Sequence, residues 1–341
     1  MASVNSSSRA GLSQRLLTIG LLTAISVTPA YPGETGRTGL HHYVFFGADR
    51  ERIVERSFLD TKAFEGAQIR YSWKQLEHGK DGFDFGDIAH DLAFLRSKGK
   101  GLFVQVQDIS FSIDIIPLPR YLLEDPVYHG GAEKQWQGRD DNHATPIGWV
   151  ARRWDPAVQG RFQKLLVTLG KEFDGRIEGI NFAETAIDFG ETGQLYPKDF
   201  TAEKYRDAVI ANMRVLKQAF PKSTAMVYAN FMPGGPSYLR DVYRHAEKLK
   251  VAMGGPDLIP YRHYQMQNSY PLLRKISTSV PTGIAVQDGN YSLPNAKTGK
   301  TVTIHELIGF AKDYLHVKYI FWCTEEPFYS RDVIPYLRDR R

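Results

Sequence analysis

Glu178-Gly179-Ile180-Asn181-Phe182-Ala183-Glu184-Thr185 is the stretch on which the reading of this 341-residue chain turns. Its centre is apolar and too short for a helix, so it reads as a buried strand. It ends on a carboxylate, Glu184. An amphipathic stretch precedes it, Phe162–Phe173, with Leu165, Leu166, Leu169 and Phe173 on one side. Another follows over Ala202–Phe220 and stops before Pro221. Helix, buried strand, helix is the repeating unit of an α/β fold. In such folds a polar residue at the carboxyl end of an inner strand is where chemistry sits.

The same unit recurs outward from this stretch. His42–Gly47, Gly66–Tyr71 and Gly101–Asp108 read as the first three strands. Thr224–Asn230 reads as the fifth. A weaker sixth region is Val251–Met253 with Leu258 and Ile259. Gly283–Gln287 and Lys318–Cys323 read as the seventh and eighth. Helices are expected around Arg50–Phe58, Ile88–Leu95, Tyr238–Leu249, Leu272–Ile276, Ile304–Tyr314 and Val333–Leu337, with Asp84 or Asp87 capping the second. Eight strands alternate with helices and no composition shift divides them. This predicts an α/β protein, a single parallel (β/α)8 TIM barrel over 41–341. No GxGxxG or GxxxxGK[ST] follows an early strand, which weighs against a doubly wound sheet. Residues 110–156 read as a long irregular loop insertion after strand 3, holding five prolines with Trp136, Trp149 and Trp154. Its aromatics argue against disorder, and its length suits a roof over a site.

Composition excludes several classes. Hydrophobic residues make up 42% and charged residues 24%, as in a soluble globular protein. The net charge of +5 is dispersed, with no basic tail, so no nucleic-acid partner is expected. The single cysteine, Cys323, supports neither a disulfide framework nor a Cys-rich zinc site. The histidines form no HExxH, and His263 near Asp257 is an isolated pair. No metal or cofactor is expected. No GxSxG elbow is present, which weighs against an esterase.

The N-terminus reads as a targeting segment. Arg9 and Arg15 precede the apolar run Leu16–Val27, and Thr28-Pro29-Ala30 supplies small residues for cleavage. A signal peptide is expected over 1–30 and a linker over 31–40. The mature protein is expected to be periplasmic or extracellular, with no integral membrane segment.

On a barrel, one face collects Arg70, Gln107, Asp108, Glu184, Asn230, Asp257, Gln287, Asp288, Glu325 and Glu326. Trp73, Tyr228, Tyr291 and Trp322 lie near them. Rings stack on apolar sugar faces, amides and carboxylates bind hydroxyls, and paired carboxylates suit glycosidic cleavage. The expected partner is a carbohydrate. Glu184 is the candidate general acid, since a desolvated carboxyl near another carboxylate stays protonated near neutrality. The alternative is a Glu that caps a helix or pairs with Arg70. Its catalytic partner is open between Asp288, the eighth-strand pair Glu325 and Glu326, and Asp257 or Asp108. Adjacent Glu side chains point apart on an extended chain, so that pair does not share a role. Candidate substrate-binding residues are Arg70, Trp73, Gln107, Asn181, Tyr228, Asn230, Gln287, Tyr291 and Trp322. Asp188 and Glu191 sit in the loop beyond Glu184 and read as subsite or solvent-facing acids.

Gln68-Ile69-Arg70-Tyr71-Ser72-Trp73, Leu76-Glu77 and Gly82-Phe83-Asp84-Phe85 resemble the second-strand region of the large clan of (β/α)8 retaining glycoside hydrolases. The similarity is greatest to β-galactosidase-like and endoglucanase-like members. The resemblance implies O-glycosyl hydrolase activity, an acid/base Glu at the end of strand four, falling on Glu184, and an aromatic at strand eight, falling on Trp322. It also implies an Asn before the acid/base Glu and a nucleophilic Glu ending strand seven. Ala183 and Gln287-Asp288 stand in those places. The expected function is an exported glycoside hydrolase that cleaves an oligo- or polysaccharide with paired carboxylates. The other reading is a catalytically degenerate, carbohydrate-binding barrel.

Overall fold

The computed structural model describes residues 39–138 and 143–338. The expected signal peptide, and residues 31–38 of the expected linker, lie outside them. Eight strands form a closed barrel. They are β1 (His41–Gly47), β2 (Phe64–Ser72), β3 (Gly101–Gln107), β4 (Gly179–Phe182), β5 (Thr224–Tyr228), β6 (Ala252–Gly255), β7 (Thr282–Val286) and β8 (Tyr319–Cys323). Each pairs in parallel with the next, and β8 closes on β1. Helices such as Gly86–Ser97, Pro156–Phe173, Ala202–Ala219 and Pro236–Leu249 connect them. This is the (β/α)8 barrel that the alternation of elements predicts.

The sixth strand is shorter than its sequence suggests. Pro256 has no N–H for the ladder and ends it, so Leu258 and Ile259 belong to the loop beyond. Leu258 still donates its backbone N–H to Ala285 O at 2.9 Å, which keeps that loop on the barrel.

Rings and glycines fill the barrel interior. Tyr43, Phe103, Met226, Tyr228, Tyr319 and Phe321 are buried there together. A Cβ on Gly179 would sit 2.1 Å from Phe103 Cε1, and one on Gly254 would sit 2.7 Å from Tyr228 Cδ1. Neither position accepts a side chain, so a ring occupies the space that glycine vacates. Above them lies a polar layer. Gln68 Nε2 donates to Asn181 Oδ1 and to Tyr228 Oη, each at 3.0 Å.

Alternation along β8 overturns one expectation. Tyr319 and Phe321 face inward, so Trp322 faces the helices and is fully buried in the outer core. Its indole N–H donates to His42 Nδ1 at 3.1 Å. Burial lowers His42 to about 4, which keeps that nitrogen an acceptor. Trp322 is no sugar platform in this fold.

Trp73 is likewise part of the core. Its ring meets Phe162 edge-on with centroids 5.2 Å apart, and its N–H donates to Glu77 Oε2 at 2.8 Å. Glu77 is buried, takes Tyr121 Oη–H at 3.0 Å, and pairs with Arg161 on the helix Pro156–Phe173. The Trp–Glu motif after β2 therefore clasps that helix and does not face a ligand.

The insertion is not irregular. Ile109–Ser110, Thr145–Ala151 and Ala132–Gln137 form a three-stranded antiparallel sheet with Thr145–Ala151 in the centre. The sequence hides it because Ala132–Gln137 is mostly polar and Pro146 argues against a strand. Pro146 pairs with Trp136 next to a shift of register, where a missing N–H is tolerated. The following helix begins at Pro156, ahead of the expected Phe162. Asp155 Oδ1 accepts Ala157 N–H at 2.8 Å and Val158 N–H at 3.2 Å, a cap followed by proline in the first turn.

Candidate active site

A cavity of about 250 Å³ opens at the carboxyl ends of the strands, and every barrel strand or the loop after it contributes to its wall. Arg70, Gln107, Glu184, Tyr228, Gln287 and Asp288 come together there. Ile109 and Phe111 from the insertion add an apolar edge, with Phe111 58% exposed. The insertion also holds the loop beyond Glu184, because Trp136 N–H donates to Asp188 O at 2.9 Å and Gly190 N–H to Trp136 O at 3.2 Å.

Glu184 lies two residues past β4. Ala183 N–H donates to Val106 O at 3.2 Å and Thr185 N–H to Tyr228 O at 3.1 Å, so both neighbours tie it to adjacent strands. Asn230 Nδ2 donates to Glu184 Oε2 at 2.5 Å. The Asn230 carbonyl accepts Phe231 N–H at 2.9 Å, which fixes which way the amide points. Burial pushes the Glu184 carboxyl up to about 7. The Asn230 bond and the Arg153 charge pull the other way, and the Asp257 charge adds to the rise.

Beneath Glu184 is a network that the sequence does not advertise. Arg153 is buried and forks onto buried Asp108, Nε to Oδ2 at 2.7 Å and Nη2 to Oδ1 at 2.6 Å. Its Nη1 donates to Glu184 O at 2.9 Å and to Tyr205 Oη at 2.7 Å. Tyr205 Oη–H in turn donates to Thr185 O at 3.0 Å. The end of β3, the insertion and the helix Ala202–Ala219 thus all hold the backbone around Glu184. The one sequence signal is the pair Arg152-Arg153 before a helix cap. The two diverge, and Arg152 pairs with Glu133 and Asp199 instead. Asp108 is spent on Arg153 and is not offered to the cavity.

The other carboxylates separate. Asp288 is exposed on the cavity wall. Asp257 does not line it. It shares a smaller neighbouring pocket with Asn230, accepts Asn290 Nδ2–H at 3.2 Å, and is raised above its ordinary value by burial. Glu325 Oε2 accepts Gly289 N–H at 2.8 Å and steadies the loop after β7. Glu326 is exposed, accepts Ser330 Oγ–H at 2.5 Å, and is absent from the cavity wall. Donor atoms of Asp288, Cys323 and Glu325 lie within 4.8 Å of one another, the only such group among the described residues. Burial pushes the Cys323 thiol up to about 12 and Glu325 is already engaged, so the trio is not a built cation site.

Among the expected sugar-binding residues, Asn181, Asn230 and Tyr291 are absent from the cavity wall, Asn230 being spent on the Glu184 carboxyl. Asn181 is fully buried and bonded to Gln68. Tyr291 is buried, donates to Cys323 O at 3.0 Å and stacks on Phe328. Gln107 Nε2 donates to Ile109 O at 2.5 Å, linking β3 to the insertion.

No family model matches the chain, and no curated protein matches it. Solved structures do. The catalytic domain of β-amylase from Paenibacillus polymyxa superposes with a TM-score of 0.54 and 10% identity, over 83% of this chain and 92% of that one. A β-galactosidase from Rahnella sp. R3 superposes with a TM-score of 0.51 and 11% identity, over 85% of this chain. The match spans 51%, about half, of that β-galactosidase. At such identities the likeness is one of fold, and the chain shares the (β/α)8 architecture of these carbohydrate-acting enzymes.

Proposed function

We propose that this protein is a glycoside hydrolase in which Glu184 is the general acid and Asp288 the general base. The observation that carries the reading is the Glu184 carboxyl, raised to about 7 by burial yet opening on the cavity that all eight strands surround. A carboxyl so placed delivers its proton to the glycosidic oxygen as the bond to the anomeric carbon breaks. Asp288 takes a proton from a water whose oxygen attacks that carbon. The two half-reactions together consume one water and leave two sugar ends. Asp288 is shorter than the Glu that the resemblance expects, which leaves room for that water and favours inversion.

The test is hydrolysis of a glycan panel by the wild type, Glu184→Gln and Asp288→Asn, with product anomers read by NMR. Loss of turnover in both variants and inverted product are expected. Undiminished turnover in Glu184→Gln would overturn the assignment of the acid. We also propose export, on the basic and apolar pattern of residues 1–30. N-terminal sequencing of the secreted protein checks it, and retention of Met1 to Ala30 in the mature protein refutes it.

One observation favours a second reading. Gln287 occupies the place of a nucleophile and cannot act as one, as in a barrel that binds carbohydrate without cleaving it. Glycan binding by the wild type with no turnover would select it.

A further inference from the structure

Arginines near the barrel mouth mostly grip a carboxylate. Arg50 holds Asp91 at 2.8 Å, Arg52 holds Glu55 at 2.7 Å, and Arg153 holds Asp108 at 2.6 Å. Arg70 differs. It lies near the end of β2, two residues before Ser72, with its side chain on the cavity wall, and it makes no hydrogen bond or ion pair among the described residues. Gly47, at φ +59°, lines the same cavity, and its Cβ position is 4.0 Å from Arg70 Nη2, an ordinary contact distance. Asp49, beyond β1, and Asp288, beyond β7, line the same cavity. Both carboxylates act on the guanidinium through their charge, and neither is in ion-pair contact with it.

A guanidinium drawn out of water without an acceptor is costly, and its five N–H groups only donate. A carboxylate only accepts. The group that satisfies both is a hydroxyl, which accepts from the one and donates to the other. An anionic substituent would satisfy Arg70 but would meet the charges of Asp49 and Asp288.

We infer that Arg70 and Asp49 form a clamp for hydroxyls of a neutral sugar, and that the surrounding acids exclude uronic acids from this subsite. The inference rests on the reading of the cavity as a glycan site and adds the substrate class. Arg70 recognises substrate in this arrangement and does not orient a catalytic carboxylate.

The test is titration of the Glu184→Gln protein, alone and with Arg70→Lys or Asp49→Asn added. The ligands are neutral gluco-, galacto-, manno- and xylo-oligosaccharides and their uronate-terminated counterparts, followed by calorimetry. Lysine keeps the charge but loses the fork. Each added substitution should weaken neutral-glycan binding roughly ten- to a hundredfold, as the loss of a hydrogen bond to a charged group does. Uronate-terminated ligands should bind more weakly than neutral ones to the parent. Asp49 is exposed, so its variant tests the clamp even if Arg70→Lys misfolds. Unchanged affinity in Asp49→Asn and in folded Arg70→Lys overturns the clamp, as does tighter binding of uronates. Wild-type turnover with those results leaves the hydrolase reading standing. Weakened binding without wild-type turnover upholds the clamp and removes the hydrolase.

Discussion

Asn230 donates to Oε2 of Glu184 at 2.5 Å while its own carbonyl is held by Phe231 N–H. The amide cannot flip without losing both bonds. Oε2 is therefore an acceptor in every state, and the carboxyl proton resides on Oε1.

A first consequence concerns activity against pH. The acid form of Glu184 is present below about 7 and is lost above it. Turnover should fall as pH rises through that value. Asn230 stabilises the charged form, so Asn230→Ala should move this limb to higher pH while slowing turnover about tenfold or more. Rate profiles of the two proteins decide it, and a limb that moves down would refute the arrangement.

A second consequence concerns stability, with the opposite instrument. The folded-state value of about 7 lies above the ordinary 4.5. Neutral Glu184 therefore contributes stability that is fully present below the ordinary value and lost as pH climbs through about 7. Glu184→Gln cannot charge. Its thermal midpoint should match the wild type at pH 4 and exceed it at pH 8. Equal differences at both pH values would show that burial is not the cause of the shift.

Arg153 and Asp108 are each almost fully buried. Arg153→Met strands a carboxylate in the core and should cost about 3–5 kcal/mol in urea unfolding. Adding Asp108→Leu should recover most of that loss. A double variant as unstable as the single would place the cost elsewhere, in the Glu184 O or Tyr205 bonds.

Two aromatic residues that look alike in sequence should part in experiment. Trp73→Ala should cost about 3–5 kcal/mol of stability, because it empties a core site. Phe111→Ala should leave stability within about 0.5 kcal/mol and weaken glycan binding several-fold, because it strips the exposed cavity edge. Paired unfolding and binding measurements separate them.

These contrasts show where sequence carries information. The barrel is legible because buried strands and amphipathic helices alternate in period, and Glu184 is legible because it closely follows a buried strand. Which face a residue takes is a parity question, and near strand ends one residue changes the answer. Trp322 takes the outer face, and Gln287 takes the cavity wall. The sheet within 109–151 is hidden in the sequence because one of its strands is mostly polar and another carries Pro146. Arg153 gave no sign, since its role depends on three partners from three separate elements. Trp73 and Glu77 show that a motif can be real and yet serve packing.

The rings seated over Gly179 and Gly254 have one last effect. They fill the barrel beneath the cavity, so the cavity does not run through to the opposite end of the barrel. A polymer cannot thread along the barrel axis. Whatever binds must approach from the carboxyl-end face, where Phe111 stands exposed on the rim.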